Sequence, residues 1–266
     1  MCYWSTLTLE LIPLPTPLIT QKDDLIQVII DALNDAKVTL QNNDVLTIAT
    51  KIVSITKGLT LNRKDIQSSP QAKKYAEITK LPAEFMQVAI EQSDEVLGAC
   101  RGALLTKKNG NLLPNAGADQ SNAPENEIII LPEDCSAIAR DVKDQIEHRY
   151  NCKIGIIIGD SRVQPLRRGT SGIALGVAGF VPVIDDRGRN DLYGRKMKMT
   201  RRAIADNLMS AAEILSGEVD EKVPLVLIRN APIVLTNEDL TSTMSIPPDE
   251  CMYFSVFFKK IENELE

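Results

Sequence analysis

The 266-residue chain lacks most of the residue patterns on which common enzyme chemistries rest. It has a single histidine, His148, so a serine-hydrolase triad or a histidine-rich metal centre has little to work with. His148 sits beside Glu147 on an amphipathic helical pattern, the place of a surface or packed residue rather than a catalytic one. Five cysteines (Cys2, Cys100, Cys135, Cys152 and Cys251) are odd in number and scattered. None belongs to a Cys-x-x-Cys pair, which excludes the usual zinc sites and a disulfide framework and points to a reducing compartment, the cytoplasm. No apolar run approaches the ~20 residues that span a bilayer. Residues Met1 to Thr6 have neither a basic stretch nor a long apolar one, so no signal peptide is expected. Repeats and low-complexity tracts are absent too. Gly169, Gly172, Gly176 and Gly179 are spaced three, four and three apart. That spacing matches neither the dinucleotide-binding glycine motif nor the phosphate loop. The net charge of −6 speaks against nucleic acid or a membrane surface as partner.

What is present is ordinary globular composition, 44% hydrophobic and 25% charged, enough for one large domain or two modest ones. The charge is uneven. Asp160 to Arg202 contains ten Lys or Arg against four Asp, a local +6 that leaves −12 for the rest. Six of the fourteen glycines share that segment. A salt-bridged, solvated face is the common meaning of such a run. Here the cations occur with glycine backbone that can approach a ligand closely, which favours an anionic small molecule.

Hydrophobic periodicity predicts alternating helices and short strands. Asp23-Asp24 opens a helix with Leu25, Val28, Ile29 and Leu33 inward, its two carboxylates in the first turn. The β-branched run Asp44 to Ile55 reads as one strand ending near Lys57-Gly58. Helices are expected over Gln71 to Ile78 and Glu84 to Gln92, the latter with Pro82 just ahead. A buried strand is expected over Glu127 to Leu131. Ser136 is the expected cap of a helix reaching Tyr150. A second buried strand, Lys153 to Gly159, ends in Asp160-Ser161. Thr200 is read as capping the longest helix, which Gly217 stops. Val223 to Arg229 and Phe254 to Phe258 are further strands, followed by a charged tail, 259–266. The mixed order predicts an α/β or α+β fold, mixed sheets with packed helices. One catalytic unit spans 1–266, with a boundary between two lobes near residue 132.

Three acidic constellations carry the chemical interest. Asn115 to Asn122 surrounds Asp119 with small and amide side chains, which suits a backbone-lined pocket or an Asx-rich turn equally. Asp160-Ser161 ends an apolar strand, where open α/β sheets place ligands. A carboxylate and a hydroxyl there suit a hard cation such as Mg²⁺ or Mn²⁺, or a simple cap. Ser216-Gly217-Glu218-Val219-Asp220-Glu221 gathers carboxylates at a helix C-terminus, where the dipole disfavours them unless a cation joins.

Together these segments resemble the coenzyme F-420-0:L-glutamate ligase (γ-glutamyl ligase) family. The resemblance runs from about Leu9 to about Arg229. It rests on Ala49-Thr50-Lys51-Ile52-Val53-Ser54, the Asn115 to Asn122 loop, the Arg168 to Gly179 run, and Asp186-x-Gly188-Arg189 continuing through Thr200, Ala205-Asp206 and Ala211-Ala212-Glu213 to Gly217. It implies GTP-dependent amide formation between L-glutamate and the lactyl carboxylate of coenzyme F-420-0, through an acyl phosphate, with a second γ-linked glutamate able to follow. It also implies two divalent ions, Mg²⁺ or Mn²⁺, on Asp119, Asp160, Ser161 and Glu218, with Asp119 and Asp160 central to catalysis. Guanine nucleotide would meet the loop Leu14, Pro15, Thr16 and Pro17, then Thr50, Asn122 and the segment Ser216, Gly217, Glu218, Val219, Asp220 and Glu221. Between Arg167 and Arg202, charge alone suggests phosphate contacts. The family is an intertwined homodimer.

Three departures from the family pattern stand out. The early loop reads Leu14-Pro15-Thr16-Pro17, without the usual acidic residue and isoleucine. Ile55 stands where the family has a nucleotide-reaching lysine; losing such a cation costs about 1.5–3 kcal/mol. Lys57, two residues on, would face the same side of a strand and could replace it. Val163-Gln164-Pro165 replaces Gly-Arg-Pro, with Arg167 kept. The Ile55 and Pro17 changes keep open a paralogue joining a different amino acid to another phosphate-bearing carboxylate. A binder that has lost turnover is the third reading, and the retained carboxylates argue against it.

Overall fold

The structure is a computed structural model, and it describes residues 8–256. Its centre is a five-stranded mixed sheet. The strands are β1 (Glu10–Leu14), β2 (Val45–Ala49), β8 (Gly155–Val163), β9 (Thr170–Ala178) and β12 (Leu225–Arg229), ordered β1-β12-β2-β8-β9. β2 and β8 run parallel and every other neighbouring pair is antiparallel. Side chains alternate between two buried faces, as the two-residue strand period requires. Leu46, Ile48, Ile156, Ile158 and Leu227 face α1 (Leu25–Asp35), α2 (Thr50–Thr56) and α5 (Cys135–Tyr150). Val45, Ile157, Val226 and Ile228 face α6 (Ile204–Ser216). With helices on both faces, the central strands read as continuous apolar runs.

Residues between β2 and β8 build a second cluster around Phe85, Met86, Val88 and Leu104. It holds α3 (Pro70–Thr79), α4 (Ala83–Glu91), the pair β3 (Thr60–Asn62) with β7 (Glu127–Ile129), and the meander β4 (Glu95–Cys100), β5 (Ala103–Lys108) and β6 (Asn111–Pro114). β10 (Val183–Asp185) and β11 (Arg201–Ala203) close the base of an arm that reverses around Asp191 to Arg195. Among the described residues, no helix is long and apolar enough to cross a membrane.

Several local expectations need correction. The run Asp44 to Ile55 is strand only as far as Ala49 and then turns into α2. Packing of Ile52 and Val53 into the core outweighs the weak helix propensity of β-branched residues. Ile55 and Lys57 consequently lie two apart at a helix end and point to different sides, so Lys57 does not replace the missing cation. Asp134, not Ser136, caps α5 by accepting the Ala137 N–H at 2.8 Å. Asp24 is likewise the α1 cap itself, and neither carboxylate lies in the first turn. Thr200 lies ahead of β11 and caps nothing: α6 starts at Ile204 after Ala203, and at 13 residues it is shorter than the 16-residue α5. Asp160 and Ser161 lie within β8, which runs on to Val163. Of the expected last strand, residues 254–256 are helical; Phe257, Phe258, the tail 259–266 and Met1 to Thr6 lie outside the described residues.

The sheet is pinned at one end by Arg229, which donates to both carboxylate oxygens of the buried Asp44 at 3.0 and 2.9 Å and to the Thr39 carbonyl at 2.8 Å. Removing one partner strands a buried charge. Arg229→Met is expected to cost about 3 kcal/mol in a urea unfolding experiment. A loss under about 1 kcal/mol would rank the pair with screened surface contacts.

Candidate functional site

Where the parallel strands β2 and β8 end, the chain opens a cavity of about 270 Å³. Thr16 and Pro17 form one side, Thr50, Lys51 and Ile55 of α2 another, Asp160 and Ser161 the floor, and the end of α6 with residues 216–224 the remaining wall. Backbone hydrogen bonds fix this assembly: Thr16 N–H donates to Lys222 O at 3.0 Å and Ala49 N–H to Pro224 O at 2.9 Å. Leu14 is not part of it. It is the buried last residue of β1, and Pro15 likewise does not line the cavity.

The three acidic constellations meet here. Asp160 accepts from Thr50 Oγ1 at 2.9 Å and from the Ser161 N–H at 2.8 Å. Burial pushes its carboxyl up to about 6, and the nearby Asp119 adds to the rise against the hydrogen bonds and Lys51. Asp119 shows the opposite outcome. Burial also raises it, but Lys51 Nζ at 2.7 Å and the Ser121 N–H and hydroxyl, both at 2.7 Å, hold it below the usual carboxylate range. Ile129 of β7 anchors the Asp119 backbone through two 2.9 Å hydrogen bonds. Asn122 Nδ2 donates to Val219 O at 2.7 Å and so ties the first constellation to the third. Asn115 serves the turn instead, its Oδ1 accepting the Leu104 N–H at 2.9 Å.

Glu218 accepts from Thr170 Oγ1 at 2.9 Å and stands 3.5 Å from Ser161 Oγ. Beside it lies Glu213, whose significance the sequence hid inside a helical pattern. Burial and the Glu218 carboxylate push Glu213 up to about 7. Its Oε1 is buried and has no hydrogen-bond partner among the described residues. Lys51 and Thr170 were also overlooked as site residues; both stand inside runs that carry the family resemblance. Glu221 folds back to accept the Val219 N–H at 2.9 Å, and Gly217 takes φ +65 where a Cβ would strike the Glu221 carboxylate.

All these donors are hard oxygens, which suit Mg²⁺ or Mn²⁺ over softer metals. Asp160, Glu213 and Glu218 form no ion pair among the described residues, and Lys51, whose charge reaches Asp160, is engaged with Asp119, so a divalent ion fits the donor set. No three acidic, histidine or cysteine side chains among the described residues stand arranged as a ready cage. Bare carboxylates repel one another, and Lys51 occupies Asp119.

Five of the ten cations in the basic segment pair with its own aspartates, and the segment stays net positive. Arg187 and Arg201 pair with Asp185, Arg189 and Arg202 with Asp186, and Arg195 with Asp191. Nor do its glycines all face a ligand: Gly172 and Gly176 pack against the backbones of α6 and α5.

A family model described as F420-0:Gamma-glutamyl ligase matches residues 13–230. The chain is 35% identical over 225 residues to a coenzyme F420:L-glutamate ligase of Methanopyrus kandleri, covering 84% of this chain and 87% of that protein. It is 34% identical over 217 residues to the like-named protein of Methanothermobacter thermautotrophicus, covering 81% and 86%. With that of Archaeoglobus fulgidus the identity is 33% over 213 residues, covering 80% and 84%.

The raised Asp160 gives a pH prediction. Between the ordinary value of 3.8 and about 6 the folded chain binds a proton that the unfolded chain releases. Its contribution to stability therefore falls as pH rises through that window. In EDTA-treated protein at pH 7.5, Asp160→Asn is expected to be more stable than the parent by about 1–3 kcal/mol. The advantage should vanish below about pH 4. A variant no more stable than its parent at pH 7.5, read by thermal melting, contradicts the assignment.

Proposed function

Because the chain belongs to the F420-0:gamma-glutamyl ligase family, we propose that it joins L-glutamate to the lactyl carboxylate of coenzyme F-420-0 at the expense of GTP. The observation that supports this reading is the meeting of Asp160 and Glu218 in one cavity, with Asp119 near enough for its charge to reach Asp160. In the reaction, the acceptor carboxylate attacks the γ-phosphorus of GTP, and GDP leaves with the electrons of the broken P–O bond. The glutamate amine then attacks the acyl phosphate, phosphate departs, and the nitrogen sheds a proton as the amide forms. A second glutamate follows through a γ-linkage.

Asp119, Asp160, Ser161 and Glu218 are the residues we assign to two divalent ions, Mg²⁺ or Mn²⁺, which when bound neutralise the repulsion between carboxylate and triphosphate. Thr50 orients Asp160 through its 2.9 Å hydrogen bond. Lys51 holds Asp119 ionised. Guanine nucleotide is assigned to the cavity walls formed by Thr16 and Pro17, Thr50, Asn122, and Ser216 to Glu221. The apolar lips Leu18, Ile19 and Val223 help exclude water from the reacting phosphate. The working unit in this reading is a cytoplasmic homodimer, which light scattering checks. A second reading keeps the same centre but joins a different amino acid to another phosphate-bearing carboxylate. Ile55 favours it, since it lines the cavity where the family carries a lysine.

Purified protein incubated with F-420-0, L-glutamate, GTP and Mn²⁺ or Mg²⁺ is expected to yield products heavier by one or two glutamyl units in mass spectrometry. Asp160→Asn should reduce turnover by roughly a hundredfold or more. Active acceptor without added mass, or an unaffected variant, rejects the proposal. Added mass with another amino acid in place of glutamate selects the second reading.

A further inference from the structure

The β8–β9 pair reaches beyond the rest of the central sheet. β2 stops opposite Gly159 of β8, whereas β8 and β9 stay paired through Ser161↔Gly172, Arg162↔Ser171 and Val163↔Thr170. These last pairs and residues 164–169 form a two-stranded ribbon beside the cavity whose floor holds Asp160 and Ser161. Thr170 ties the ribbon to the carboxylates, its hydroxyl donating to Glu218 Oε1 at 2.9 Å. Gln164 Nε2 donates to Ser171 Oγ at 3.2 Å, and the Arg167 N–H to Gln164 O at 3.2 Å, which fixes the turn at the tip.

Between Ser161 and Gly172 the ribbon holds three arginines and no acidic residue. Arg162 leans toward Asp206 of α6 at 3.9 Å. Arg167 and Arg168 are exposed, and neither has an ion-pair or side-chain hydrogen-bond partner among the described residues. In this they differ from the arginines that pair with Asp185, Asp186 and Asp191. Leu166, beside them, is wholly exposed, and its φ of +57 is one that a leucine adopts only at a cost. Backbone strain of this kind gathers at ligand clamps.

We propose that the tip of this ribbon is the acceptor subsite, with Arg167 and Arg168 binding the acceptor's phosphate. The inference rests on the ligase reading above and adds to it the place of the acceptor. In that reading the reacting carboxylate stands at the divalent ions, and the acceptor's phosphate lies on the same lactyl arm. A phosphate brought beside Asp160 and Glu218 needs positive charge of its own, because the ions serve the carboxylate and the triphosphate. Arg168 is two residues from Thr170, about 7 Å along an extended strand, and a long side chain spans such a gap. The planar fork of arginine also matches phosphate oxygens two at a time.

Fluorescence titration of F-420-0, with and without GDP, measures binding apart from turnover. The double variant Arg167→Gln/Arg168→Gln is expected to bind F-420-0 about tenfold to a hundredfold more weakly than the parent. The same deazaflavin without its phosphate arm should bind parent and variant alike. In the ligase assay the KM for F-420-0 should rise by a similar factor, with the KM values for GTP and glutamate within about twofold. Both residues are exposed, so the variant is expected to melt with the parent. Unchanged F-420-0 affinity in the folded variant overturns the subsite and leaves the ligase reading standing. An equal rise for GTP moves the arginines to the triphosphate and overturns it as well. So does a parent that binds F-420-0 no better than the phosphate-free deazaflavin. A parent that binds F-420-0 but forms no amide sinks the ligase reading, and the titration alone then judges the ribbon.

Discussion

Asp160 buries a carboxylate at the end of the parallel β2–β8 pair, where two hydrogen bonds from Thr50 and Ser161 offset only part of the desolvation cost. Much of the surrounding architecture follows from holding that charge in place. β2 must turn at Ala49 so that Thr50, the first residue of α2, can reach Asp160. β8 must continue past the floor of the cavity so that Ser161 meets Glu218, a residue 57 positions further along the chain. The Asp119 loop must come close enough to raise Asp160 further, and its anchorage to β7 makes that approach permanent.

The charges around Asp160 divide into two states. Asp119 is satisfied by Lys51, whereas Glu213 and Glu218 lie side by side with hydroxyls and, among the described residues, no ion-pair partner. A protein selected only for stability would neutralise such a pair or replace it with apolar residues. Retaining it leaves a pair of carboxylates that an added positive charge would stabilise.

Legibility in the sequence followed the physics of each signal. Continuous apolar runs made β8 and β12 visible, and helical spacing revealed α1, α3, α4 and most of α5. The β4–β5–β6 meander was missed because the buried Thr106 and Lys108 of β5 stand where an apolar alternation would need hydrophobic residues. The run through Ile52, Val53 and Ile55 misled because β-branched residues fill a buried helix face as readily as a strand once tertiary packing decides. Of the acidic constellations, the third was visible as a local conflict of charge, the first as a polar loop and the second as a carboxylate at a strand's end. Their meeting in one cavity depends on contacts between Asn122 and Val219, 97 residues apart, which spacing alone does not encode. Glu213 escaped notice because a glutamate on a helix is ordinary until its neighbour is known.

The glycine-rich β9 was the segment that most resembled a ligand loop, and its chief work lies elsewhere. A Cβ on Gly172 would come within 2.6 Å of the Met209 carbonyl of α6, and one on Gly176 within 2.3 Å of the Cys135 backbone of α5. Both helices therefore pack directly against the strand backbone, from opposite faces. α6 carries Glu213 and leads to Glu218. A side chain at Gly172 would push α6 outward and carry those groups away from Asp160, and one at Gly176 would push α5 away from the sheet. The glycines thus act on the site at one remove, by setting how closely both helices approach β9.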